Sequence, residues 1–75
     1  MPDAELDATG LRCPMPVLRA RRALKPLATG QVLQLLADDP ASAKDVSAFC
    51  KTTGHTLLET ECDGRIFSFM IKKAG

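Results

Sequence analysis

The chain has no tryptophan, no tyrosine, one histidine and only three phenylalanines in 75 residues. So few rings give little support to binding single-stranded nucleic acid by stacking. No apolar run approaches the roughly 18 residues of a membrane span, so no membrane partner is expected. The start, Met1-Pro2-Asp3-Ala4-Glu5, lacks the basic and apolar regions of a secretory signal. A cytoplasmic, reducing location is therefore expected, in which Cys13, Cys50 and Cys62 remain thiols. No two of them stand at Cys-x-x-Cys spacing, and His55 is the sole histidine, so neither a metal nor another cofactor is expected.

What is present suits a small folded domain. The 45% apolar content argues against disorder, but ten of the apolar residues are alanines and ten are leucines. The core is accordingly thin. A chain of this size buries only about 60% of the surface that it exposes when unfolded. One domain over residues 1–75, monomeric, is expected. Pockets in it are shallow beside the roughly 300–1,000 Å³ of a typical small-molecule site, so chemistry belongs at the surface, completed by a partner protein.

The periodicities give an order of elements. Residues 5–7 lead into a turn at Thr9-Gly10 and suit a short strand. From Pro14, the spacing of Val17, Ala20, Leu24 and Leu27 is helical, fraying between Pro26 and Gly30. Val32–Ala37 is a compact apolar run, read as a buried strand. Asp39 as N-cap and Pro40 as first helical residue start a second helix with Ala43, Val46, Phe49 and Cys50 on its stripe and Gly54 as its C-terminal cap. Thr56–Cys62 and Arg65–Lys72 alternate around Asp63-Gly64, a strong hairpin signal. The fold class expected is α+β: a two-layer sandwich in the order β-α-β-α-β-β, with two helices on one face of a mixed four-stranded sheet. Phe67, Phe69 and Ile71 share one face of the last strand, Ile66 and Met70 the other, and the alternation does not say which is covered.

The segment Arg12-Cys13-Pro14-Met15-Pro16 carries the chemistry. A residue before proline is pushed toward extended geometry, and proline suits the first helical turn, so Cys13 reads as the N-cap. The Met15 amide, the positive end of the helix and Arg12 are all expected to favour the thiolate. Cysteine is a poor cap beside Ser, Thr, Asp or Asn, which favours a reactive role over a structural one. Cys50, on the apolar stripe, and Cys62, beside the hairpin, read as structural. A dithiol redox pair needs a resolving cysteine at position 16, where this chain has proline. A hydrolase needs a base, and His55 reads as a solvated turn residue. A lone exposed thiolate suits a group carrier that takes a sulfur atom as a persulfide and passes it on by the same exchange chemistry.

The run Leu6-Asp7-Ala8-Thr9-Gly10-Leu11-Arg12-Cys13-Pro14-Met15-Pro16, with Ala37-Asp38-Asp39-Pro40-Ala41, Phe49-Cys50, Gly54-His55 and Asp63-Gly64, resembles the TusA/SirA family of sulfur carrier proteins over nearly the whole chain. The resemblance implies a fold similar to the C-terminal domain of translation initiation factor three. It also implies that Cys13 accepts sulfane sulfur from a cysteine desulfurase or rhodanese and relays it to an acceptor protein. The destinations it implies are tRNA 2-thiouridine synthesis, molybdenum cofactor biosynthesis or sulfur oxidation, and paralogues with Cys-Pro-x-Pro serve other sulfur or selenium pathways. A stoichiometric carrier is favoured over a true enzyme; if classed as one, it is a sulfurtransferase.

Charge is unevenly placed. Residues 8–37 carry +5 from Arg12, Arg19, Arg21, Arg22 and Lys25 with no acid, and the remainder carries −4. Like charges at these helical spacings repel, so the basic face is expected to dock acidic partner surfaces through Arg19, Arg21, Arg22 and Lys25. The rival reading is a regulatory module binding nucleic acid through the same face. Asp38 and Asp39 are read as turn-forming and capping residues only.

Overall fold

The computed structural model describes residues 2–74. Its elements are β1 (Ala4–Asp7), α1 (Met15–Leu24), β2 (Val32–Ala37), α2 (Ser42–Thr53), β3 (Thr56–Asp63) and β4 (Ile66–Lys72). They form an α+β two-layer sandwich. The sheet order is β1-β2-β4-β3, with β1 and β2 parallel and the other pairs antiparallel.

Strand alternation decides the layers. Leu33, Leu35 and Ala37 on β2 stand opposite Ile71, Phe69 and Phe67 on β4, so these six apolar residues of the two central strands share one face. That face is covered by Ala20 and Leu24 of α1 and by Val46, Phe49 and Cys50 of α2, all in one buried cluster. Phe69 and Ile71 are thus the inward residues, and Met70 lies on the open face beside Gln34, whose Nε2 donates to Ser68 Oγ at 3.2 Å. β3 slips register between Leu57 and Glu59, and Leu58 is left 53% exposed there.

Both helices start later than their sequence suggests. Met15 N–H donates to the Arg12 carbonyl at 2.8 Å, closing a turn before the helix, so the N-cap is Pro14 and not Cys13. Asp39 closes a second such turn: its carboxylate accepts from Ala41 N–H at 3.0 Å and its carbonyl from Ser42 N–H at 2.9 Å. The N-cap of α2 is therefore Ala41, two residues beyond the expected Asp39, and Pro40 lies outside the helix. The far ends are tied off differently. Gly54, at φ +85°, donates to the Cys50 carbonyl as the left-handed cap of α2. Lys73 Nζ donates to the carbonyls of Leu24 at 2.7 Å and Lys25 at 3.1 Å, setting a cation on the negative end of α1 and ending it before Leu27. His55 is also not simply solvated. Its ring lies 5.7 Å from that of Phe49, and its Nδ1 accepts from Ala74 N–H at 2.9 Å.

Candidate functional site

The loop after β1 and the loop after β2 leave the sheet side by side, because the two strands are parallel neighbours. The second loop holds the first. Asp7 Oδ1 accepts from Thr9 N–H at 2.9 Å and from Thr9 Oγ1 at 2.6 Å, which folds the chain back at the end of β1. Asp38 Oδ1 then accepts from Gly10 N–H at 2.9 Å, and Asp39 Oδ2 from Cys13 N–H at 2.6 Å. The Asp39 carboxyl is held below its ordinary range by the Cys13 amide first, then by the Ala41 amide and the Arg12 charge. Asp38 and Asp39 therefore do more than shape a turn: from a neighbouring loop Asp38 holds the backbone at Gly10 and Asp39 holds it at the exposed Cys13. The pair stands within the Ala37–Ala41 run of the resemblance, and that run was the available signal. Nothing in the local sequence specified a bond across 26 residues.

From this anchor Cys13 faces a groove of about 330 Å³ between the helices, lined among others by Val17, Arg21, Asp45 and Phe49. Helix geometry alone favoured the thiolate here, and the groove reverses that expectation. The Cys13 thiol is pushed up, first by the Asp45 carboxylate that lines the same groove, then by loss of solvent and by the charge of Asp39. The Met15 amide expected at the sulfur is already bonded to the Arg12 carbonyl, and the Arg12 charge acts on Asp39. Asp45, in the first turn of α2, had no sequence signal beyond the ordinary preference for an acid at that end.

The other singled-out residues divide by location. Pro14 caps α1 and Pro16 is buried in its first turn. Arg21 lines the cysteine groove and also an adjoining groove of about 470 Å³ with Arg22, Lys25 and Lys73, beside Leu18, which is 49% exposed. Arg19 lines neither, and Arg12 borders a separate depression with Asp38 and Arg65. Cys50 is buried, and burial pushes its thiol up. Cys62 is exposed in the hairpin, its Sγ–H donating to the Gly64 carbonyl at 3.4 Å. None of the three phenylalanines is exposed, so no ring platform accompanies the basic helix. Among the described residues no three His, Cys, Asp or Glu side chains are grouped to hold a metal, and no helix is long and apolar enough to cross a membrane.

Comparison with known proteins gives concordant results. The family model for sulfurtransferase TusA matches residues 4–73. The sulfur carrier protein TusA of Allochromatium vinosum is 51% identical over 72 residues, which span 96% of this chain and 95% of that protein. The crystal structure of a SirA-like protein from Desulfitobacterium hafniense superposes with a TM-score of 0.82 at 30% identity, covering 96% of this chain and 99% of the other.

Proposed function

The chain belongs to the TusA family, and from that premise we propose that it carries sulfur as a persulfide on Cys13. The observation that supports this most is an exposed thiol whose backbone is pinned by Asp39 at 2.6 Å, in a groove with no second cysteine. A fixed backbone presents the sulfur in one place to successive partners, and a lone thiol cannot discharge its cargo into an internal disulfide.

Loading is an exchange at sulfur. The Cys13 thiolate attacks the outer sulfur of a donor persulfide, the donor's S–S bond breaks, and the donor leaves with the electron pair as a thiolate. That thiolate takes the proton that Cys13 gave up. Cys13–SH and donor–S–SH become Cys13–S–SH and donor–SH, with no oxidant or reductant consumed. Delivery repeats the exchange on an acceptor cysteine. The donor in this reading is a cysteine desulfurase or rhodanese. The acceptor is a protein that feeds tRNA thiolation, molybdenum cofactor synthesis or sulfur oxidation, and the setting is the cytoplasm. Pro14 and Pro16 shape the start of α1 under the thiol. Arg21, Arg22 and Lys25 steer acidic partner surfaces toward it, with Arg12 and Arg19 contributing to the same field.

The test is a persulfide-specific labelling assay after incubation with a cysteine desulfurase and cysteine. Label is expected on the parent and on Cys50→Ala and Cys62→Ala, and none on Cys13→Ser. Equal label on Cys13→Ser refutes the assignment.

A further inference from the structure

A carrier thiol that must attack a donor sits here against an acid. Asp45 of α2 lines the same groove as Cys13, and its carboxylate is the first cause that raises the thiol. Asp39, in the β2–α2 turn, adds a second negative charge on the backbone side. Of the cations near the groove, Arg12 acts on Asp39, and Arg21 stands on the α1 wall, where the groove opens into the basic one beside it. Charge is thus split across the mouth of the site, negative on the α2 side and positive on the α1 side. A partner surface that fits it has the reverse order, a cation next to its reacting sulfur and acids farther along. Resting on the carrier reading above, we propose that Asp45 restrains Cys13 in the free protein and that a partner setting a lysine or arginine against Asp45 releases the thiol for attack.

The physical reason is local. A carboxylate beside a thiol favours the S–H form, which can offer it a hydrogen bond, and opposes a second negative charge at the sulfur. A cation arriving at the carboxylate cancels that opposition and adds its own attraction for the thiolate. The free carrier then reacts slowly with stray electrophiles, and its thiol becomes a nucleophile in the docked complex.

The experiment uses the full chain carrying Cys50→Ala and Cys62→Ala, so that alkylation reports Cys13 alone. Asp45→Asn and Asp45→Glu are compared with this parent in two assays. The first is the rate of reaction with iodoacetamide across pH. The second is kcat/KM for sulfur loading by a cysteine desulfurase with cysteine. Asp45→Asn is expected to move the alkylation profile to lower pH. The neutral-pH rate should rise about threefold for each unit of movement, since tenfold more thiolate is offset in part by its lower nucleophilicity. The same variant is expected to load about two- to fivefold more slowly, the worth of one exposed ion pair with the partner. Asp45→Glu keeps the charge and is expected to behave as the parent in both assays.

Opposite movement in the two assays is the signature. Faster loading together with faster alkylation overturns the partner cation, and an unmoved alkylation profile overturns the restraint. Slower reaction in both, with a lowered melting temperature, assigns Asp45 to the fold and overturns the proposal. A parent that accepts no sulfur overturns the carrier reading and the proposal with it. The alkylation arm does not depend on loading, so the two failures are told apart.

Discussion

Reversing Arg21 and Lys25 to glutamate tests docking in a way that can be scaled beforehand. The two stand one turn apart and border the grooves beside Cys13, Arg21 in both and Lys25 in the adjoining one. Each reversal changes the local charge by two units. At an encounter separation of about 10 Å in water, one unit against one partner carboxylate is worth roughly 0.4 kcal/mol before screening. The Debye length is about 8 Å at physiological ionic strength and about 30 Å at 0.01 M. For the double reversal these figures give roughly a twofold loss of association rate at physiological salt and roughly sevenfold at 0.01 M. The assay is stopped-flow sulfur loading from a cysteine desulfurase over that salt range, with Arg19→Glu alongside, since Arg19 lines neither groove. Arg19→Glu is expected to lose less than Arg21→Glu or Lys25→Glu measured singly. Parental loading by the double variant at low salt refutes steering by these side chains, and an equal loss from Arg19→Glu refutes the role of the grooves.

Three further outcomes follow from the same geometry. Asp39→Ala removes the acceptor of the Cys13 and Ala41 amides, so those two amides are expected to exchange hydrogen faster while the β2–β4 amides keep their protection; unchanged exchange at Cys13 contradicts the anchor. Phe69 is fully buried, and Phe69→Ala is expected to cost about 3–5 kcal/mol in denaturant unfolding, a large share of what so small a core provides. His55 has its pKa lowered by burial and then by Lys73, so the unfolded chain takes up a proton that the folded one resists. Its contribution is full above about pH 6.5 and is lost as pH falls below that value. Thermal unfolding from pH 5 to 7 should show the loss in the parent and a flatter profile in His55→Gln, and equal slopes contradict the lowering of His55 by burial and Lys73.

The order of elements, the hairpin at Asp63-Gly64, the αL cap at Gly54 and the exposure of Cys13 were legible because each rests on signals within a few residues. Periodicity, turn glycines and the Cys-Pro-x-Pro spacing are of that kind. The covered face of the sheet was not legible, since Phe69 and Met70 compete on alternate sides and only the packing of α1 and α2 decides between them. The helix starts moved because Arg12 and Asp39 close turns whose partners lie outside the helical pattern. The electrostatics of the thiol were misread for the same reason: Asp45 is 32 positions from Cys13, and only the tertiary fold sets both on one groove. The C-terminal residues Lys73 and Ala74 likewise act through long-range contacts, one on the end of α1 and one on His55.

The most direct measurement is the intact mass of the chain after incubation with a cysteine desulfurase and cysteine, followed by peptide mapping. Persulfide carriage on Cys13 predicts the gain of one sulfur atom, mapped to the peptide containing Cys13, reversed by a thiol reductant, retained in Cys50→Ala and Cys62→Ala, and absent from Cys13→Ser. A gain of sulfur that persists in Cys13→Ser, or that maps to Cys62 in the parent, contradicts it.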